Sequence, residues 1–337
     1  MRALVLAGGT GSRMRPLTHS RPKQLIPVAG RPILDHVLAA VRAAGVLDVG
    51  VIVGTGAAAD QIRRHVGDGS GLGLRAVCLT QERPLGLAHA VRTARPFLGG
   101  DDFLVYLGDN LLAEGISEAA ARFRRERPAG HLLVQKVADP RAFGVAELDA
   151  TGRVRRVAEK PAEPVSDLAL TGVSFFTPAL HAAIAAIRPS TRGELELTDA
   201  AQWLVGRGAR VTAEEYGGYW KDIGSVPDVL AANRRVLDGV VVAPTARIIG
   251  GRIEGPAVIG PGAVVENCHL GPYVAIGAGC HVRDSRISDS VLFDDVRVLS
   301  VPELTGSVLG RAAVVRGHGP GPIRLVVGDD SMVDLTA

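Results

Sequence analysis

The chain has 337 residues, of which 47% are hydrophobic, 22% charged and only 4% aromatic. That is ordinary globular composition with aliphatic cores, and a length past about 250–300 residues points to two domains. Lysine and arginine (38) nearly balance aspartate and glutamate (35), leaving a net charge of +3, so no bulk field recruits nucleic acid or a membrane surface.

Up to about residue 135, short apolar runs alternate with amphipathic helices. Runs at 3–6, 49–53, 74–79, 103–107 and 132–137 read as strands. Between them Ile33, Val37, Leu38 and Val41 recur at helical spacing, behind Pro32 and ahead of Gly45. A second helix is expected over 84–97. Strands alternating with helices imply a parallel sheet covered on both faces, with ligands bound beyond the carboxyl ends of its strands. Two features fall at such ends: Gly8-Gly9-Thr10-Gly11-Ser12-Arg13 after the first run and Gly108-Asp109-Asn110 after the fourth.

From 145 to 216 the pattern is mixed. A hairpin is expected at 145–148 and 153–159, around Asp149-Ala150-Thr151-Gly152. Helices follow over 178–187 and 198–207, the latter capped by Thr198 or Asp199, and a last one over 227–237. Beyond Val240 the grammar changes. Val258, Val264, Leu270, Ile276 and Val282 recur every six residues, with Gly and Pro beside them, and the period fades after Val282. An aliphatic every sixth residue is the mark of a hexapeptide β-helix, with a plain β-sandwich as the alternative. Domains are therefore expected at 1–240 and 241–337. The small second domain should need cover from the first or from another subunit.

Cys78, Cys268 and Cys280 are odd in number and none forms a C-x-x-C pair, so neither a disulfide framework nor a zinc site is supported. No apolar run approaches the roughly 18 residues of a membrane span, and the start Met1-Arg2-Ala3-Leu4-Val5-Leu6 lacks a signal-peptide pattern. A cytoplasmic protein is expected.

The glycine turn at Gly8, Gly9 and Gly11 is a poor dinucleotide fingerprint, because Met14 stands where a third small residue belongs. It is no Walker loop either, since no Gly-Lys-Ser/Thr closes it. What remains is a turn whose N–H groups can face an anion, followed by Arg13 and Lys23. Backbone donors plus two cations suit a triphosphate, whose charge must be neutralised before a nucleophile approaches. A tight turn with surface cations is the alternative.

Gly-Gly-x-Gly-Ser-Arg-x-x-Pro-x-Thr followed by Pro22-Lys23-Gln24-Leu25-Ile26-Pro27-Val28 resembles the sugar-1-phosphate nucleotidyltransferases. The nearest branch is the glucose-1-phosphate thymidylyltransferases, in the long form with a C-terminal left-handed β-helix. Further matches run in family order over roughly 1–240: Gln81 to Ala90, Tyr106 to Asn110, Phe143-Gly144-Val145, Glu159-Lys160-Pro161, Gly172-Val173 and Gly218-Tyr219-Trp220-Lys221-Asp222. The fold implied is α/β, a Rossmann-like domain with a mixed central sheet, followed by a short left-handed parallel β-helix. The reaction implied joins a nucleoside triphosphate to a sugar 1-phosphate, releasing pyrophosphate, in an enzyme that assembles as a homo-oligomer. Such a reaction needs placement and charge relief rather than a general base, because a phosphate monoester, with its second pKa near about 6, is already deprotonated.

The resemblance implies that Arg13 and Lys23 hold the triphosphate, and that Gly8, Gly9, Gly11 and Gly108 lie against the nucleotide. Lys160 would grip the sugar phosphate, Glu159 its hydroxyls, and Gly144 and Val173 the sugar through backbone groups. Asp109 and Asp222 would share Mg²⁺, a hard ion suited to one or two carboxylates with phosphate oxygens and water. Gln81 offers a donor and an acceptor to the imide edge of thymine or uracil, with Pro84, Gly86 and Leu87 shaping the base site. One methyl separates dTTP from UTP, worth only about 1–3 kcal/mol in an apolar pocket. Phe143 stands where many relatives carry Tyr, so deoxy, epimeric and cyclitol phosphates stay open as substrates. Two rival readings are a bifunctional acyltransferase, for which His269, His281 and His318 are available although each is better explained as an outward-facing turn or coil residue, and a regulatory subunit without catalysis. The second would be expected to lack some of Arg13, Lys23, Asp109, Lys160 and Asp222, which are all present.

Overall fold

The computed structural model describes residues 1–9, 11–318 and 321–335. They pack as two units, one of Met1–Gly9 with Leu34–Asp222 and the other of Thr10–Ile33 with Ile223–Ala337.

The first unit is built on a nine-stranded sheet. Its strands are β1 (Arg2–Leu6), β2 (Asp48–Val53), β3 (Arg75–Thr80), β4 (Phe103–Leu107), β5 (Gly130–Lys136), β6 (Gly144–Leu148), β7 (Val154–Glu159), β8 (Leu168–Phe176) and β9 (Val211–Glu215). They lie in the order β7-β6-β8-β4-β1-β2-β3, with β5 pairing β8 and β9. β1 is buried along Ala3 to Leu6, the continuous apolar run that a strand covered on both faces requires. It runs parallel to β2 and β4, whereas β8 is antiparallel to β4 with Val173 opposite Tyr106. The sheet is therefore mixed and Rossmann-like, not parallel throughout. Phe103 and Phe176 are fully buried with rings 6.1 Å apart; side chains of this size each contribute about 1.5–3 kcal/mol through burial.

Seven helices, α1 (Ile33–Ala43), α2 (Ala57–Val66), α3 (Leu87–Thr93), α4 (Arg95–Leu98), α5 (Ser117–Glu126), α6 (Ala179–Ala186) and α7 (Leu197–Gly206), accompany the sheet. Two differ from the sequence reading. The helix expected over 84–97 begins only at Leu87 and breaks at Ala94. Gly86 has φ 102°, outside helical space, and Pro96 has no N–H with which to continue the ladder. Helix α7 starts at Leu197 with Glu196 as its flanking residue and no side-chain cap. Neither Thr198 nor Asp199 is a cap, because both lie inside the first turn; the Thr198 hydroxyl donates to Glu159 at 3.1 Å.

The second unit holds α8 (Val226–Val236) and parallel strands curled into stacked coils, as in a left-handed β-helix. Ile259, Ile276, Leu292 and Leu309 stack in one column, so successive coils take 17, 16 and 17 residues. Val265, Val282, Val298 and Val315 form a second column, and Leu270, Ile287 and Leu304 a third. The inward residues are thus Ile259 and Val265, one position beyond Val258 and Val264. Nor does the repeat fade after Val282: it continues with steps of five among those of six, and pairing reaches Val327 and Val333. Glycines permit the tight stacking at one corner, where a Cβ on Gly260 would lie 2.7 Å from the Gly277 carbonyl carbon. His269 and His281 lie on strands rather than in turns. Among the described residues, no helix is long and apolar enough to cross a membrane.

Candidate functional site

The end of β4 is where the first unit gathers its polar groups. Gly108 donates its N–H to the Leu6 carbonyl at 2.9 Å, and a Cβ there would stand 3.0 Å from that oxygen. The lack of a side chain here lets the chain pass close against β1 before delivering Asp109. The next residues, Asn110–Leu112, pair antiparallel with Trp220–Asp222, placing Asp222 directly opposite Asn110. Two acids 113 positions apart are thereby brought to one short ribbon, Asp109 just before its first strand and Asp222 at the end of its second. Asn110 is almost fully buried and joins both sides: its Nδ2 donates to Asp109 Oδ1 at 3.0 Å, and its Oδ1 accepts from Trp220 Nε1 at 2.7 Å. Two carboxylates on one ribbon fit a hard divalent cation that draws its remaining ligands from substrate oxygens and water.

Beside this ribbon opens a cavity of about 180 Å³ whose walls include Leu87, Gly144, Glu159, Lys160, Thr198 and Asp222. Gly144 opens β6 and Glu159 closes β7, and the two are direct register partners in the hairpin. A Cβ on Gly144 would meet Leu170 Cδ1 at 2.8 Å and Thr198 Cγ2 at 2.9 Å. Glu159 is fixed from two sides, by the Thr198 hydroxyl and by Arg192 Nη1 at 3.3 Å. Arg192 also reaches Glu194 at 3.5 Å and Glu196 at 3.4 Å. Burial pushes the Glu196 carboxyl above its ordinary range. Lys160 sits at φ 39° and donates its N–H to the Phe143 carbonyl at 3.0 Å, holding the chain at the cavity mouth. Phe143 packs edge-on against Trp220, 5.3 Å between centroids. The arrangement offers one cation, carboxylates for hydroxyl groups, and an apolar floor. Gly172 and Ser174 line the cavity, while the side chain of Val173 between them is buried in the sheet.

Gln81, at the end of β3, donates from Nε2 to the Gly86 carbonyl at 3.1 Å and meets His89 Nδ1 at 2.8 Å. With the carbonyl fixing the amide nitrogen, His89 accepts at Nδ1 and is neutral; burial first, then Arg92 and Arg83, push its pKa below the ordinary imidazole value. Gln81 Oε1 lies on the side of Gly8, 3.9 Å from where a Cβ would stand. Gly86 is pressed against Leu195, whose carbonyl oxygen would be 2.4 Å from a Cβ. Pro84 is exposed.

Gly11, Arg13 and Lys23 belong to the second unit. Gly11 has φ 64°, and a Cβ on it would touch Lys23 Cβ at 3.0 Å. Thr18 closes the same turn by donating to the Gly11 carbonyl at 2.8 Å. Arg13 lies over Gly224, its Nη2 2.9 Å from a Cβ built there.

Sequence reasoning assigned no site role to Asn110, Trp220, His89 or Arg192, and read Thr198 only as a candidate helix cap. The first three stand inside the quoted motifs and could have been questioned as neighbours of the acids and of Gln81. Arg192 has local partners in Glu194 and Glu196, and only its contact with Glu159, which comes from another element, ties it to the cavity. Among the described residues there is no cluster of three or more metal-binding side chains.

A family model described as nucleotidyl transferase matches residues 2–239. The chain is 45% identical to the glucose-1-phosphate thymidylyltransferase of Streptomyces griseus, over all of both chains. It is 37% identical to the low-salt glycan biosynthesis nucleotidyltransferase of Haloferax volcanii, over 99% of this chain and 100% of that one. A crystal structure assigned as a glucose-1-phosphate thymidylyltransferase of Bacillus anthracis, with bound sucrose, superposes with a TM-score of 0.65 at 32% identity, over 70% of this chain and 95% of that one. By its matched span and its full-length relatives, the chain belongs to the nucleotidyl transferase family.

Proposed function

We propose that the protein joins dTTP to glucose 1-phosphate, giving the dTDP-sugar and pyrophosphate. The observation that carries this reading is the cavity in which Gly144, Glu159 and Lys160 meet Asn110 and Asp222 of the ribbon that Asp109 leads into. A phosphate oxygen of the sugar 1-phosphate bonds to the α-phosphorus while the bond from that phosphorus to pyrophosphate breaks. The attacking oxygen arrives deprotonated, so placement and relief of anion repulsion supply the rate.

Lys160 holds the sugar phosphate, Glu159 accepts from sugar hydroxyls, and the backbone at Gly144 and Val173 completes that subsite. Arg13 and Lys23 bind the triphosphate with the turn at Gly8, Gly9 and Gly11, and Gly108 lies against the nucleotide. Gln81 reads the base with Gly86, Leu87 and Pro84. Asp109 and Asp222 would hold Mg²⁺, which when bound neutralises phosphate charge. Residues 1–240 form the catalytic domain and 241–337 the β-helix domain, and the protein works in the cytoplasm on small-molecule substrates. It assembles with copies of itself through the first coil, where Val241 is 58% and Ile249 50% exposed.

Pyrophosphate release with Mg²⁺, glucose 1-phosphate and each nucleoside triphosphate in turn tests the reading. The expected order is dTTP, then UTP, with little from purines. Equal rates with purines overturn the base assignment. Silence with glucose 1-phosphate but turnover with another sugar or cyclitol phosphate moves the sugar assignment to that compound, in keeping with Phe143.

A further inference from the structure

Residues 11–33 have little regular structure of their own: two short 3-10 turns, Ser12–Met14 and Lys23–Leu25, and a two-residue ribbon of Pro27–Val28 with Arg31–Pro32. Such a segment holds cations in place only if something else orders it. Within the second unit that partner is the β-helix, which it meets through Asn233 of α8 and directly at points spread along the coils. The Ala29 N–H donates to Asn233 Oδ1 at 2.9 Å, and Asn233 Nδ2 donates onward to the Tyr273 carbonyl at 3.0 Å. Asn233 is fully buried. A Cβ on Gly30 would lie 3.3 Å from Val258 Cγ1. Arg21 lies 5.1 Å over the ring of Phe293. In the last coil, Asp329 Oδ2 accepts from the Ser20 hydroxyl at 2.9 Å and stands 3.8 Å from Arg21 Nη2. Its Oδ1 accepts from the Arg311 N–H at 2.7 Å, and its side chain is only 6% exposed.

A buried carboxylate held by the preceding coil and spent on a distant loop is an anchor. We propose that the β-helix is the positioning device of the triphosphate-binding segment, with Asp329 as its principal positioning residue and Phe293 and Asn233 as supporting ones. Anchored at Ser20 and Arg21 and again at Ala29, the segment presents Lys23 from a span fixed at both ends. This inference rests on the reading of Arg13 and Lys23 as ligands of the triphosphate.

The test uses the full chain and steady-state kinetics with both substrates varied. Asp329→Ala should raise KM for the nucleoside triphosphate about tenfold, the size of a lost charge-assisted hydrogen bond. KM for the sugar phosphate should stay within twofold, and Asp329→Asn should recover part of the loss. Ser20→Ala, which removes an exposed hydroxyl, should move the same constant by a smaller factor. Asp334→Ala, which breaks only the surface pair with Arg316, should leave both constants unchanged. An unchanged nucleotide KM in both Asp329→Ala and Ser20→Ala, alongside a large rise in Lys23→Ala, overturns the anchor and leaves the phosphate reading standing. So does an equal rise in both KM values that tracks a lowered melting temperature. If Lys23→Ala itself leaves nucleotide KM unchanged, the phosphate reading fails and the anchor's function with it.

Discussion

Trp220 Nε1 donates to Asn110 Oδ1 at 2.7 Å, and the same amide turns its nitrogen to Asp109 Oδ1 at 3.0 Å. An indole thus sets the orientation of an amide, and the amide sets that of a carboxylate at the end of β4. Groups that orient a metal-binding carboxylate are typically worth about 10–100-fold in metal affinity or activity. Trp220→Phe keeps a ring against Phe143 and removes the donor, so half-saturation by Mg²⁺ should move up about tenfold. Asp109→Asn should remove most turnover at every Mg²⁺ concentration. Near-normal rates for that variant across the titration would place the metal elsewhere.

Gly144 faces Leu170 and Thr198 at distances no Cβ tolerates. Gly144→Ala should therefore cost about 1–3 kcal/mol of stability through overpacking, read from denaturant unfolding. Because Thr198 also bonds Glu159, the shift should reach the sugar subsite. The sugar-phosphate KM should rise more than the nucleotide KM; a rise confined to the nucleotide would separate Gly144 from the sugar.

Gln81 has both a carbonyl and an imidazole holding its amide nitrogen. Gln81→Ala should change nucleotide KM or preference while leaving the melting temperature close to that of the parent. His89→Ala frees the amide on one side and should move the same constant by about three- to tenfold, the value of one hydrogen bond. Unchanged kinetics with every nucleoside triphosphate for both variants would put the base at another place.

The three thiols differ in their surroundings. Cys78 is part-buried, while Cys268 and Cys280 face the interior of the coils. Burial pushes the Cys280 thiol up to about 12, and thiolate is the reactive form. A thiol reagent at pH 8 should label Cys78 first in the native protein and reach the other two only after denaturation. Labelling of Cys280 at the rate of Cys78 would mean that the coils open in solution.

The aliphatic runs of β1, β2 and β4 were legible because strands covered on both faces leave a plain apolar trace. The hairpin of β6 and β7 was legible from its turn. What escaped was set by tertiary contacts. Thr198 has the chemistry of a cap, yet the helix begins one residue before it and its hydroxyl donates across the chain to Glu159. Val258 and Val264 keep a six-residue beat, yet the columns take the next residue, because five-residue steps re-phase the repeat. Asp109 and Asp222 could be paired only through the family resemblance, since no local pattern reports a ribbon closed over such a separation.

The columns through Ile259, Ile276, Leu292 and Leu309 fix one residue above another, coil upon coil. Coil stacks on coil in the same way at each step, so stacking energy by itself sets no length. The contact between Ser20 and Asp329 does. One coil more or fewer would carry Asp329 a strand spacing away, about 4.8 Å, beyond the reach of the hydroxyl. The solenoid is in this sense a ruler: its number of turns is read out at the opposite end of the polypeptide.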